Sequence, residues 1–127
     1  MSDSNTIVGK KVDTSSLVDE KGKNLKQIVC ERCASKILPA KVGTLEEFNF
    51  ELNIMKKESE TDSDLTKEQL SQFYRVEDMF DFDNIGFSHT VGDIKYLICA
   101  DCEIGPVGWH SISSKKCYVA LTRVAYK

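Results

Sequence analysis

Four cysteines stand in two C-x-x-C pairs, Cys30-Glu31-Arg32-Cys33 and Cys99-Ala100-Asp101-Cys102. This spacing lets two sulfurs of one tight turn face a single point, while the backbone amides that follow can donate to them. Two such pairs make a closed tetrahedral set with no position left for water, which is the chemistry of a structural zinc ion rather than a catalytic one. A fifth cysteine, Cys117, is left over. Paired C-x-x-C motifs in a chain without a secretory signal favour metal over disulfides. A thioredoxin-type redox pair needs a βαβ context, which this sequence lacks. His89 and His110 are available as substitute ligands, but four cysteines already fill the shell. The expectation is one structural Zn²⁺ on Cys30, Cys33, Cys99 and Cys102. It ties the N-terminal strand to the C-terminal half, so loss of any one ligand should unfold much of the domain.

Apolar strands must carry these turns. Leu25, Ile28 and Val29 lead into the first knuckle; Ile37 and Leu38 follow it, and Pro39 breaks that short strand. Ile94, Tyr96 and Ile98 alternate with Lys95 and Leu97 and run into Cys99. Phe48, Phe50, Leu52 and Ile54 share one parity against Glu47, Asn49, Glu51 and Asn53, the clearest strand in the chain. Strand character resumes from Phe73 to Phe82, with Val76, Asp78, Phe80 and Phe82 on one side. Asp83-Asn84-Ile85-Gly86 and Gly92-Asp93 read as turns around a short strand from Phe87 to Val91. Val107 to Ile112 and Tyr118 to Val124 complete the set. Helical periodicity is nearly absent. The predicted fold class is mainly β, with twisted antiparallel sheets.

Residues 1–24 are polar and predict a flexible tail. The domain is then expected over residues 25–126. Within it KKESETDSDLTKEQL, about residues 56–70, lacks an apolar face and predicts a mobile loop with one helical turn at its end. The 127 residues, 41% hydrophobic, suit one domain with a modest core. Mean hydropathy is −0.30, and no apolar run approaches the ~20 residues of a membrane span. The N-terminus has no apolar signal core. A soluble, cytosolic, monomeric protein without membrane insertion is expected.

The net charge of −3 weighs against nucleic acid as a partner. Between Glu77 and Glu103 seven acids face one base, Lys95, an acidic segment suited to a basic protein surface. Taken alone, each of these residues also has a plain reading. Asp101 caps its turn. Glu77 and Asp78 are solvated strand residues. Phe80, Phe82, Phe87 and Trp109 belong to the core. Gly105, Pro106 and Gly108 shape a turn.

The run VEDMFDFDNIGF at 76–87, VGDIKYLICADCEIGPVGWH at 91–110, VCERC at 29–33 and YVALTRV at 118–124 together resemble the Rab-interacting factor family. These are the Mss/Dss-type exchange factors and chaperones of Rab GTPases. The resemblance covers about residues 25–126. It implies a β-tent fold, a large sheet and a smaller one pinned by zinc, with Cys30, Cys33, Cys99 and Cys102 as ligands. It further implies binding of secretory-pathway Rab GTPases, promotion of nucleotide release and stabilisation of the nucleotide-free form, without covalent chemistry. Asp101, between the second pair of cysteines, falls on the family's Rab-binding surface. Glu103, Glu77 and Asp78 can add to its field, and Met79 and Phe80 can supply apolar contact area. The alternative is an enzyme on the same architecture, a methionine-R-sulfoxide reductase with Cys117 as its reactive thiol. The surrounding KKCYVAL lacks the Arg-x-Cys-x-Asn context of such an enzyme, although Lys115 and Lys116 would lower its pKa.

Overall fold

The computed structural model describes residues 6–9, 11–57 and 67–127. Among them there is no α-helix, and no helix long and apolar enough to cross a membrane. The strands are β1 (Thr6–Val8), β2 (Ile28–Cys30), β3 (Lys36–Leu38), β4 (Thr44–Asn53), β5 (Lys56–Lys57), β6 (Lys67–Val76), β7 (Ile85–Val91), β8 (Ile94–Cys99), β9 (Ile104–Gly105), β10 (Gly108–Ser111), β11 (Cys117–Ala120) and β12 (Val124–Tyr126). The large sheet runs β1-β6-β11-β10-β8-β7, with β4 also paired to β6. A small sheet runs β12-β2-β3, and β5 pairs with β9. All pairings are antiparallel except β1 with β6. The mainly β class is as the sequence predicts, and the division into a large and a smaller sheet, antiparallel apart from β1, is as the resemblance implies.

Period-two alternation sorts the large sheet's side chains into two cores. Tyr74, Val76, Leu97, Cys117 and Val119 join Ile28, Ile37, Leu38 and Val124 of the small sheet in the main core, together with Val107 from the segment before β10. Their alternate neighbours Phe73, Trp109 and Ala120 form a second core with Leu52 and Leu70. Trp109 is 3% exposed. It stacks on Phe50 at 3.7 Å and on Tyr118 at 4.9 Å, with Phe73 edge-on at 5.0 Å. The alternation predicted in β4 is present: Glu47, Asn49 and Glu51 face solvent, and Phe48, Phe50 and Leu52 turn inward. Gly108 belongs to β10 rather than to a turn. A Cβ there would stand 1.8 Å from the Tyr118 carbonyl oxygen, so only glycine permits the close pairing with β11.

Three segment assignments are corrected. The boundary drawn at residue 25 falls inside the fold. The β1 strand pairs with β6, Val18 bridges Asn24, and Asn24 is fully buried. Its side chain donates to the Lys26 and Pro39 carbonyls and accepts from the Gly43 amide, so a polar segment is held by hydrogen bonds as well as by Leu17 and Val18, which pack on the main core. The loop assigned to 56–70 is strand at both ends, since Lys56–Lys57 form β5 and Lys67–Leu70 begin β6. Flanking β1 and β4 supply ladder partners that override a polar composition. Its middle, 58–66, and residues 1–5 lie outside the described residues. Finally, the strand assigned to 73–82 stops at Val76. Asp78 accepts the Phe80 amide at 2.9 Å and turns the chain into a 3-10 turn, Met79–Asp81.

Candidate functional site

Cys30 ends β2 and Cys99 ends β8, so each knuckle begins where a strand leaves its sheet. The two turns are built alike. The Ala34 amide donates to the Cys30 carbonyl at 2.9 Å, and the Glu103 amide to the Cys99 carbonyl at 2.8 Å. Ala34 and Glu103 both adopt left-handed backbone, φ 63° and 62°. The Arg32 amide points at Cys30 Sγ, 3.4 Å away.

Across the knuckles, Cys30 Sγ and Cys102 Sγ are 3.7 Å apart, and Cys33 Sγ and Cys99 Sγ 3.5 Å. All four sulfurs lie within 4.8 Å of one another. A tetrahedral ion with metal–sulfur bonds of about 2.3 Å requires sulfur separations of about 3.8 Å, so the cage is the right size for one metal ion. The cysteines are free thiols, far from the ~2.05 Å of a disulfide. Cys30 and Cys99 are buried, Cys102 is half-buried and Cys33 is exposed. Burial pushes the Cys99 thiol up to about 12 and also raises Cys102, while the Ser35 hydroxyl and backbone draw Cys33 down to about 6. Buried thiolates are thus costly in the protein alone, and a divalent cation at their centre offsets that cost.

A strap ties the knuckles together. The Asp83 amide donates to the Ile37 carbonyl, the Asn84 side chain to the Lys36 carbonyl, and the Ala100 amide to the Asn84 carbonyl. Lys36 and Asp83 form an exposed ion pair at 3.6 Å, and Ile85 faces Cys99 in the ladder.

The surface residues divide into two groups. Asp101 and Glu103 are exposed on the second knuckle. The Ser35 hydroxyl, from the first knuckle, donates to the Asp101 carboxylate. Glu77, Asp78, Met79 and Phe80 lie instead beyond the end of β6, where they line a cleft of about 450 Å³ with His110, Ile112 and Lys115. Neither Asp101 nor Glu103 lines that cleft. Phe80 is not a core residue; it is 87% exposed. Glu77 pairs with Arg75, which also holds Glu46.

A family model described as Mss4 protein matches residues 23–126. A guanine nucleotide exchange factor MSS4 homolog of Drosophila melanogaster is 44% identical over 107 residues, covering 84% of this chain and 88% of that protein. A second protein of that name, from Schizosaccharomyces pombe, is 33% identical over 92 residues, covering 66% of this chain and 80% of its own length. The chain belongs to the Mss4 family. The matched Mss4 region contains both knuckles, the strap, the cleft and the whole small sheet, whereas β1 lies ahead of it.

Within this Mss4 domain the remaining candidates fall away from the four-cysteine cluster. His110 stands opposite Cys117 in the β10–β11 ladder, its Nδ1 3.2 Å from Cys117 Sγ, and does not join the four cysteines. The His89 side chain is outside the described residues. Cys117 is fully buried, and burial, with the Asp78 charge second, pushes its thiol up to about 12. A reactive cysteine needs access and a lowered pKa, so this environment is the reverse of the one the reductase alternative requires. Lys115 and Lys116 do not lower it.

Sequence reading passed over Ser35, the Asp83-Asn84 strap and Arg123. Arg123 is 3% exposed; it donates to the Asn53 and Pro106 carbonyls and pairs with Glu68 at 3.0 Å, fastening β4 and β6 beside the loop that follows the second knuckle. A basic residue in the closing LTRV run was the one available signal.

Proposed function

We propose that this chain is a guanine nucleotide exchange factor for Rab-family small GTPases, one that also holds the nucleotide-free GTPase as a chaperone. We further propose that Cys30, Cys33, Cys99 and Cys102 bind one structural Zn²⁺. The observation that carries the first reading is family membership with relatives named as exchange factors. The second rests on an all-sulfur cage of tetrahedral size, with no carboxylate or imidazole joining it among the described residues, a set that suits zinc. The protein would act from the cytosol as a monomer, reaching membranes only through its GTPase.

Such an activity needs no covalent step. A GTPase holds its nucleotide through the P-loop, a lysine and Mg²⁺ on the phosphates. An exchange factor lowers that affinity only by binding the empty state better than the loaded one. When phosphate leaves, basic groups lose their partner, and a carboxylate on a rigid turn is suited to meet them. Asp101 takes that role here, with Glu103 beside it. Glu77 and Asp78 add negative field at the cleft, and Met79 and Phe80 supply apolar contact. Zinc, when bound, fixes the two knuckles relative to each other and does no chemistry.

The test is release of a fluorescent nucleotide from a panel of GDP-loaded Rab proteins, beside complex formation with the empty GTPases. Accelerated release and a stable complex with at least one empty Rab are expected. Failure to bind any empty Rab overturns the reading. Elemental analysis should find one zinc per chain; a different metal would sink the zinc assignment.

A further inference from the structure

We infer that Ser35 is a positioning residue for Asp101, setting the orientation in which that carboxylate meets a basic group of the partner. This rests on the functional reading above. The two residues are 66 positions apart and lie on different knuckles. Ser35 has a fixed backbone: its carbonyl accepts the Cys30 amide at 2.8 Å, and Ala34 before it is held in the left-handed region. Its hydroxyl also sits 3.3 Å from Cys33 Sγ. The hydroxyl carries one proton, which points at Asp101; Cys33 Sγ, which has no proton to give once it ligates a metal, lies beside the oxygen. Among the described residues, Ser35 is the one side-chain partner of the Asp101 carboxylate.

Asp101 is otherwise exposed at the tip of its turn, where a free carboxylate side chain samples several rotamers. An O–H to carboxylate hydrogen bond is among the stronger neutral-to-charged contacts. One staggered rotamer held in advance reduces the ordering cost when a cation docks. The aspartate carries the charge and the serine of the other knuckle aims it. A purely structural staple between the knuckles would instead act on metal retention and melting.

The experiment uses the zinc-loaded full chain and its Ser35→Ala, Ser35→Thr, Asp101→Ala and Ser35→Ala/Asp101→Ala forms. Zinc content, Tm, affinity for nucleotide-free Rab GTPases and the Hα–Hβ couplings of Asp101 are measured. Ser35→Ala should keep one zinc and the wild-type Tm, average the Asp101 couplings, and weaken the complex about five- to tenfold. Ser35→Thr should restore both readouts. In the Asp101→Ala background, removing Ser35 should cost nothing further.

Wild-type affinity in Ser35→Ala, full additivity with Asp101→Ala, or loss of zinc in Ser35→Ala overturns the proposal. A wild type that binds no empty GTPase overturns the functional reading instead. Unchanged Asp101 couplings in Ser35→Ala beside intact wild-type binding overturn the Ser35 assignment alone.

Discussion

Ala34 and Glu103 occupy equivalent places, each one residue past the second cysteine of its knuckle, and both have φ near +60°. Neither is glycine, so both turns carry strain that the closing hydrogen bonds and the cage must hold. Left-handed backbone costs about 1–2 kcal/mol for such a residue, against about 0.5–1 kcal/mol of added unfolded-state entropy for glycine. Ala34→Gly should therefore stabilise the zinc-loaded domain by about 0.5–1 kcal/mol, seen as a rise in Tm of roughly 2–5 °C. A fall in Tm would show that this turn is not strained.

Metal removal should be far more damaging. Chelation, or Cys99→Ser, should lower Tm by more than about 15 °C, because the cage joins β2 of the small sheet to β8 of the large one. Thiol labelling gives the matching order. No rapid reaction is expected in the loaded protein. After chelation the exposed Cys33 should react first, and fully buried Cys117 last, as the weakened domain opens. Fast labelling of Cys117 in the folded, metal-loaded protein would contradict the burial described here and revive the reductase reading.

Two aromatic residues should separate binding from folding. Phe80→Ala removes an 87% exposed ring and should change stability by no more than about 0.5 kcal/mol. If the cleft wall meets the GTPase, the same change should weaken the complex by roughly tenfold. Trp109→Ala should cost about 3–5 kcal/mol, since it empties the centre of the second core. Denaturant titration and a binding isotherm check both; a Phe80→Ala complex of wild-type affinity would remove Phe80 from the contact surface.

His110 predicts a pH dependence. Burial, and secondarily the Lys95 charge, lowers its pKa below the ordinary value of 6.5, with Asp93 opposing. The unfolded chain then binds a proton that the folded one refuses. Stability is whole above about pH 6.5 and falls as the pH drops below the unfolded pKa toward the folded one. His110→Gln should flatten that limb. The difference between wild type and variant, read from urea melts between pH 7 and pH 5, isolates this residue from acid release of the metal. Parallel curves would mean His110 titrates alike in both states.

Much of this was legible without coordinates. The paired C-x-x-C spacing named the four cysteines that the fold gathers within 4.8 Å, and strict alternation in Phe48–Leu52 named a strand and its dry face. Both signals are local, being set by turn length and by the two-residue repeat of a pleated chain. The sequence by itself determined the donor set, the β class and the family likeness. Tertiary structure decided the rest, because those features depend on partners distant in the chain. Backbone pairing with β4 and β1 made a strand of polar Lys67–Gln69. One capping hydrogen bond, donated by the Phe80 amide to Asp78, turns the chain so that Phe80 lies in solvent rather than core. Folding over 66 residues set Ser35 against Asp101, and the same folding left Glu77–Phe80 at a cleft to which Asp101 does not belong. Periodicity reports which way a side chain points from its own strand, and only the packed chain fixes what it meets there.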